Sequence, residues 1–314
     1  MTGPFDVAVI CGGVGAARFL RGLVRAVDPA RVCAIVNTAD DMRLHGLAIS
    51  PDLDTCTYTL AEVINPETGW GLVGETWQAK ETLDRYGGQT WFGLGDRDLG
   101  THLYRTQRLA EGATLSEATR EITAAWDLAL SIVPMSDDPV RTRVTVASGE
   151  TIDFQQYFVE RQHADTVTSV EFDGAAVAAP APGVIDAIAT ADRIVIAPSN
   201  PFVSIDPVLA VPGIREAIIA RRASTVAISP IVGGTAIKGP AADLMRSFGH
   251  QESAAGVAGV YNEIAEHLVI DDIDAPLTDA VRSAGMTPHV TNTMMSSIDV
   301  ARDLARFTLD RVVI

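Results

Sequence analysis

The sequence predicts an α/β fold: a Rossmann-like, mostly parallel sheet with helices on both faces and a helical insertion. Three features near the N-terminus support this prediction. Residues 6–11 form a short, apolar, β-branched run without polar alternation, which is typical of a strand buried on both faces. Residues 16–27 carry apolar side chains every three or four positions, and residues 31–36 form a second buried strand. This βαβ order predicts neighbouring parallel strands.

Strand and helix patterns alternate along the rest of the chain. We predict strands at residues 128–133, 143–147, 167–172, 193–197, 225–229 and 267–270, and helices at residues 183–190, 212–222 and 298–309. Between residues 65 and 127 the patterns are helical, covering 75–86, 101–110 and a third helix opened by Thr114 and Glu117 in capping-box spacing. Because no repeat or long linker appears, residues 1–314 are predicted to form one domain with a helical insertion at residues 65–127.

The composition argues against several classes of function. The chain has 24 Lys and Arg residues against 40 Asp and Glu residues, a net charge of −16, which disfavours a nucleic-acid partner. The sequence shows no secretion signal and no apolar run near the roughly 18 residues of a membrane span, which predicts a cytoplasmic protein without a membrane partner. The three cysteines lack CxxC spacing, so neither a disulfide framework nor a zinc site is expected.

A glycine-rich turn links the first strand to the first helix. Gly12, Gly13 and Gly15 permit close approach of a ligand, and the helix N-terminus that follows favours an anion, so we predict a phosphate-binding loop. The dinucleotide fingerprint is incomplete, because Arg18 replaces its third glycine and Asn37, rather than an acidic residue, follows the second strand. An NAD-dependent oxidoreductase is therefore an alternative with weaker support, and a purely structural turn is another.

Carboxylates follow the second strand and open the next segment. Asp41 comes shortly after the strand, and Asp52 and Asp54 lie within residues 50–55. Oxygen ligands near a phosphate loop, at the carboxyl edge of an α/β sheet, are what a Mg²⁺-dependent reaction at phosphorus requires. We therefore predict a Mg²⁺ site at Asp41, Asp52 and Asp54. Taken singly, Asp54 also fits a helix N-cap and Asp52 an Asx turn.

Three further segments combine groups suited to a polar ligand. In residues 91–102, Trp91 is suited to stack on a ring, and Asp96 and His102 to bind hydroxyl groups; a salt-bridged helix entry is the alternative. Polar and basic groups also follow two later strands, where they are suited to a base, a sugar or a phosphate: Ser199, Asn200 and Lys238. Because four such loops follow strands, we expect them to gather at one edge of the sheet.

Seven ordered motifs resemble those of the 2-phospho-L-lactate transferases, which act in the biosynthesis of the deazaflavin coenzyme F-420. They lie at residues 12–15, 37–41, 51–55, 93–102, 134–139, 198–201 and 229–234. The resemblance implies a Mg²⁺-dependent transfer of a phosphate-linked three-carbon acid, phosphoenolpyruvate or 2-phospholactate. The acid would move from its guanosine diphosphate conjugate to the terminal ribityl hydroxyl of the deazaflavin Fo, with release of GMP.

The resemblance also implies a role for each residue singled out above. Asp54 and Asp41 would act in catalysis and, with Asp52, hold Mg²⁺. The donor would contact Gly12, Gly13, Gly15, Ser199, Asn200 and Lys238, and the acceptor would contact Thr55, Trp91, Asp96 and His102. A homodimer is expected as well. A non-catalytic, nucleotide-sugar-binding regulator of a related family is the remaining alternative, although a regulator does not need the motifs at residues 51–55 and 93–102.

Overall fold

The computed structural model describes residues 5–236 and 239–311. At its centre lies a parallel sheet of seven strands, which confirms the predicted fold class. In chain order the strands are β1 Val7–Cys11, β2 Val32–Val36, β3 Met42–Leu44, β4 Leu47–Ile49, β5 Ser131–Pro134, β6 Arg141–Val146, β7 Thr151–Asp153, β8 Val167–Asp173, β9 Arg193–Ile196, β10 Thr225–Ile228, β11 Ile231–Val232, β12 Thr235–Ala236, β13 His267–Ile270 and β14 Thr287–Val290. The order in the central sheet is β14-β13-β10-β9-β1-β2-β5.

Helices cover both faces of this sheet. They are α1 Val14–Leu23, α2 Pro51–Leu60, α3 Gln78–Arg85, α4 Asp98–Ala110, α5 Leu115–Ala125, α6 Val184–Thr190, α7 Asp206–Leu209, α8 Ile214–Ile219, α9 Ala241–Ser247, α10 Ala254–Tyr261, α11 Thr278–Ser283 and α12 Ile298–Arg311. Phe19 of α1 and Leu304 of α12 pack in the apolar cluster on one face. Ile188 of α6, Ile218 of α8 and Tyr261 of α10 pack in the cluster on the other. The central strands are therefore buried on both sides, as their apolar sequences require.

Two of the predicted strands lie outside the central sheet. They are β6 and β8, which pair antiparallel with each other and, with β7, form a separate three-stranded sheet. Residues of β6 alternate between half-buried and buried, which is typical of an antiparallel sheet with one face on the core. The β3–β4 hairpin lies outside the predicted elements, and its turn places His45 and Gly46 at φ angles of 53° and 80°.

The segment predicted as a helical insertion contains α3, α4 and α5. The predicted capping box at α5 is confirmed, because Thr114 Oγ1 accepts the Glu117 N–H at 3.2 Å and Glu117 Oε2 accepts the Thr114 N–H at 2.8 Å. Whether this segment forms part of the acceptor site stays a prediction.

Two carboxylates link the first helices of this segment. Glu75 accepts the backbone N–H groups of Arg97 and Asp98 at the start of α4, at 2.8 and 2.9 Å. In exchange, Asp96 accepts two backbone N–H groups at the start of α3, each at 3.0 Å. The helix predicted from Glu75 begins only at Gln78, where Asp96 accepts the first N–H groups of the helix in place of a local N-cap.

Two further observations bear on the predicted class of protein. Cys11, Cys33 and Cys56 are buried and free, in agreement with the expected lack of disulfides. Within residues 5–236 and 239–311, no helix combines the length and apolar character needed to cross a membrane.

Candidate active site

Four loops rich in glycine or polar residues meet at the carboxyl edge of the central sheet. They follow β1, β2, β9 and β10, which are consecutive in the sheet as β10-β9-β1-β2. The chain continues from β1 to β2 and β5 on one side, and from β9 towards β14 on the other, so the topological switch point lies between β1 and β9. Open α/β sheets bind their ligands at such a point. The expected gathering of these loops at one edge is confirmed.

The glycine loop and the Ser199 loop face each other across this switch point. The backbone N–H of Gly12 donates a hydrogen bond to Ser199 Oγ over 3.2 Å. Asn200 Oδ1 accepts the Phe202 N–H at 3.0 Å, whereas the buried Asn200 Nδ2 has no hydrogen-bond partner in the described part of the chain. A buried amide donor without a partner is costly unless a ligand or water uses it. The structure therefore brings these residues, predicted to contact the donor, into one place.

Two glycines of the loop lie against neighbouring groups, and at Gly15 the backbone leaves no room for a side chain. A Cβ at Gly15 would lie 2.1 Å from the carbonyl oxygen of Pro198, a backbone atom that does not yield as a flexible side chain does. A Cβ at Gly13 would lie 2.6 Å from Oδ1 of Asp52. The Asp52 carboxylate thus lies against the predicted phosphate loop. An anionic ligand on this loop requires a cation nearby to offset the repulsion.

Three carboxylates gather between the end of β2 and the start of α2. Asn37 Nδ2 donates to Asp40 Oδ2 at 3.2 Å and to Asp52 Oδ2 at 3.1 Å, which joins these two side chains. Ser50 Oγ donates to Asp41 Oδ2 at 2.6 Å. The buried oxygens Asp40 Oδ1 and Asp41 Oδ1 have no hydrogen-bond partner among the described residues. We refer to Asp40, Asp41 and Asp52 as the acid cluster.

Burial raises the pKa values of the whole acid cluster. It raises the pKa of Asp41 to about 7 and that of Asp52 to about 6. Burial, followed by the charge of Asp52, raises the pKa of Asp40 well above its ordinary value. The hydrogen bond from Ser50 and the charges of Arg105 and Arg141 act on the pKa of Asp41 in the opposite direction. Such carboxylates gain most from a cation, which takes the place of the proton.

The acid cluster fits a magnesium ion that is completed by its substrate. In residues 5–236 and 239–311, no group of three or more Asp, Glu, His or Cys side chains is arranged to hold a metal ion by itself. Mg²⁺ usually binds through one or two carboxylates, with waters and substrate phosphates as its other ligands. The unpartnered oxygens of Asp40 and Asp41 meet this requirement.

Asp54 is held by a buried arginine. Arg105 of α4 donates from Nη1 to Asp54 Oδ2 at 3.1 Å and from Nη2 to Asp54 Oδ1, and the two side chains are only 2% and 8% exposed. His102 Nδ1 lies 3.7 Å from Asp54 Oδ2, and His102 Nε2 lies 3.2 Å from Asp98 Oδ2. The Tyr58 hydroxyl donates to Asp98 Oδ1 at 2.6 Å. This network ties α4 to α2 and favours a positioning role for Asp54.

The alternative predictions, a helix N-cap at Asp54 and an Asx turn at Asp52, are wrong. Helix α2 begins at Pro51 and its N-cap is Ser50, so both carboxylates lie inside the first helical turn. Acidic residues in a first turn interact favourably with the helix dipole. The structure does not test the metal contacts predicted for these residues, which stay predictions.

A cleft of about 330 Å³ opens beside the acid cluster. Trp91, Asp40 and Asp41 all lie in its wall. Aromatic, amide and charged side chains complete the lining, among them Arg141, Phe154, Gln155 and Gln156. This combination suits a ring-bearing polar ligand. Trp91, predicted to contact the acceptor, therefore lines the same cleft as Asp41, predicted to act in catalysis.

The other residues predicted for the ligands lie elsewhere. Asp96 is outside the lining of the cleft, and hydrogen bonds from the Thr76 hydroxyl and from the start of α3 lower its pKa. Thr55 lies on α2 and His102 on α4, and both are buried. Their contacts with the acceptor stay predictions. Lys238 lies outside the described residues.

Arg105 and Arg141 are the site residues that sequence reasoning does not single out. A signal for Arg105 does exist, because Asp98, His102 and Arg105 recur at helical spacing and place three polar side chains on one face of α4. All three are buried in the structure. Arg141 follows an ordinary Pro-Val pair and has no comparable pattern.

Comparisons with known proteins identify the family. The family described as 2-phospho-L-lactate transferase CofD matches residues 7–303. The chain belongs to the CofD family. Among CofD relatives, the phosphoenolpyruvate transferase of Streptomyces griseus is 44% identical over 309 residues, which cover 97% of each chain. The phosphoenolpyruvate transferase of Kitasatospora aureofaciens is 41% identical over 309 residues, 96% of each chain.

A solved structure agrees with the CofD fold. A UPF0052-family protein from Bacillus halodurans superimposes with a TM-score of 0.65 at 18% identity, over 98% of this chain and 100% of that chain. At this identity the likeness concerns the fold alone. Membership of the CofD family makes the protein an enzyme, a transferase of coenzyme F-420 biosynthesis that acts on small molecules.

Proposed function

We propose that the protein transfers a phosphoenolpyruvyl group from its guanosine diphosphate conjugate to the terminal ribityl hydroxyl of Fo, releasing GMP. The observation that carries this proposal is a chain of contacts: the glycine loop lies against Asp52 of the acid cluster, and Asp40 and Asp41 of that cluster line the cleft that also holds Trp91. The names of the relatives favour phosphoenolpyruvate over 2-phospholactate as the transferred acid. The homodimer implied by the resemblance stays a prediction.

In this reaction the acceptor hydroxyl oxygen attacks the phosphorus that carries the three-carbon acid. A phosphorus–oxygen bond forms there, the bond to the bridging oxygen of the diphosphate breaks, and that oxygen leaves with GMP. The hydroxyl proton passes to Asp41, which lines the cleft. Backbone N–H groups of the glycine loop, at the start of α1, stabilise the charge on the diphosphate.

Magnesium belongs to the proposal. One or two carboxylates of the acid cluster, Asp41 among them, would hold the ion, and Mg²⁺ bound there would neutralise charge on the donor diphosphate. The supporting observations are the unpartnered oxygens of Asp40 and Asp41 and the approach of Asp52 to the glycine loop. Full turnover by metal-stripped enzyme in excess chelator would refute the magnesium requirement.

GMP release tests the proposed reaction. Enzyme supplied with Mg²⁺, Fo and the phosphoenolpyruvyl conjugate should release one GMP for each Fo consumed. Omitting Fo should abolish the release, because the acceptor oxygen is the nucleophile. GMP formed at the same rate without Fo would indicate hydrolysis of the conjugate and contradict a transferase that uses this acceptor.

The raised pKa of Asp41 determines how magnesium should affect stability. Its folded-state pKa of about 7 lies above the ordinary value of about 4, so stability is lost as the pH rises between these values. Because Mg²⁺ displaces the bound proton, we expect it to raise the thermal midpoint more at pH 8 than at pH 5. Asp41→Asn should reduce this difference, and the rest should come from Asp40 and Asp52, whose pKa values are also raised. Equal shifts at the two pH values in the wild type would disprove the linkage.

Gly15→Ala should weaken binding of guanosine diphosphate by about tenfold or more, since the added methyl group forces the glycine loop away from the carbonyl oxygen of Pro198. Gly100→Ala on α4 is the matched control, because a Cβ there meets nothing within 4 Å. The control should keep the wild-type affinity and gain slightly in stability. Titration calorimetry and thermal unfolding measure both effects. Unchanged affinity in Gly15→Ala would remove the loop from the donor site.

A further inference from the structure

Arg141 is a cation that lines the cleft. It begins β6 and lines the cleft with Asp41 and Trp91. Its Nη1 donates to the carbonyl oxygen of the preceding residue, Val140, at 2.8 Å. Among the described residues it forms no ion pair, whereas Arg143, two positions further along β6, is paired with Asp153.

Arg141 is the better placed of the two cations that line the cleft in the described part of the chain. These cations are Arg43 and Arg141, and the carboxylates that line the cleft there are Asp40, Asp41, Asp153 and Glu160. Arg43 is exposed and donates to the carbonyl oxygen of Gly46 at 3.3 Å. Arg141 is half-buried and close enough to Asp41 to lower the pKa of that carboxyl. An anion bound by Arg141 would therefore lie next to the acid cluster.

We propose that Arg141 binds the carboxylate of the transferred three-carbon acid. This inference rests on the proposed function and adds the residue that recognises the carboxylate of the transferred acid. In phosphoenolpyruvate the carboxylate is attached to the carbon that bears the phosphate oxygen, so it must lie close to the reacting phosphorus. A guanidinium matches a carboxylate with two parallel hydrogen bonds. The glycine loop contacts the diphosphate, which GDP also has, whereas Arg141 contacts the part that GDP lacks.

Binding measurements on Arg141→Gln test this assignment. Arg143→Gln is the matched control, because it removes the same charge from the same strand. The ligands are GDP, the phosphoenolpyruvyl conjugate of GDP, and the same conjugate with its carboxylate replaced by a carboxamide. Titration calorimetry with Mg²⁺ present should show Arg141→Gln binding the phosphoenolpyruvyl conjugate about 10- to 100-fold more weakly than the wild type. Its affinities for GDP and for the carboxamide should stay within about twofold of wild type.

Each other outcome overturns the assignment. Wild-type affinity for the phosphoenolpyruvyl conjugate in Arg141→Gln would show that Arg141 does not read the acid. An equal loss for GDP, or an equal loss in Arg143→Gln, would indicate a general charge effect. A variant altered only in its KM for Fo would place Arg141 at the acceptor. Wild-type enzyme that binds GDP but neither conjugate would instead refute the proposed donor, and the role of Arg141 with it.

Discussion

Asp41→Asn is expected to lower kcat by about 10³-fold or more while leaving the protein folded. The carboxylate is the proposed general base and a proposed ligand of magnesium, and loss of either role is costly. Asparagine has nearly the same shape and still accepts a hydrogen bond from Ser50. Because burial already disfavours the charged form of Asp41 and raises its pKa, the neutral amide should not reduce the thermal midpoint.

Asp153→Asn is the matched control for this experiment. Asp153 lines the same cleft, but it is exposed and paired with Arg143. Its variant should retain kcat within about threefold of wild type, because exposed ion pairs contribute little. Steady-state kinetics, GDP titration and thermal unfolding are measured on both variants. If Asp41→Asn kept kcat within tenfold of the wild type, Asp41 could be neither the base nor an essential ligand.

Arg105→Met should destabilise the protein by about 3–5 kcal/mol, because it leaves Asp54 as a buried charge without its partner. The substitution should also weaken the contacts of His102, which lies between Asp54 and Asp98. Arg108→Met, one turn along α4, is the control, since Arg108 forms its ion pairs with Glu111 and Glu121 near the surface. Chemical denaturation should show a far smaller effect for Arg108.

A comparison with Asp54→Asn separates positioning from metal binding. If Asp54 acts through Arg105, both Arg105→Met and Asp54→Asn should lower the thermal midpoint, yet the folded fraction should still respond to Mg²⁺. If Asp54 binds the ion directly, the thermal midpoint of Asp54→Asn should no longer rise when Mg²⁺ is added. The second result would support the predicted metal contact of Asp54.

The buried part of the fold is predictable because its strands are continuous apolar runs. Strands β1, β2, β9, β10 and β13 have this character and lie where the patterns predict. Strand β14 has no such run: it is an edge strand, half-exposed, and contains Pro288. The antiparallel pairing of β6 with β8 is not predictable either, because the local pattern of a strand does not specify which distant strand pairs with it.

The site residues that can be predicted from sequence are those that follow a strand. The glycine loop, Asp41 and Ser199 are each located by a strand that ends just before them, and parallel strands bring their carboxyl ends together. Arg105 and Arg141 approach the site from α4 and from the separate three-stranded sheet, so their positions depend on tertiary packing. For Asp54, the sequence shows a carboxylate in the right segment but not the arginine that binds it.

The mass of the deazaflavin product tests the central claim most directly. Purified enzyme is incubated with Fo and Mg²⁺ and, in separate reactions, with the phosphoenolpyruvyl and 2-phospholactyl conjugates of guanosine diphosphate. We predict a new deazaflavin whose mass equals Fo plus the phosphoenolpyruvyl group, with GMP formed in equal amount and less product from the 2-phospholactyl conjugate. Unchanged Fo in both reactions, from enzyme that still binds GDP, would contradict the proposed transfer.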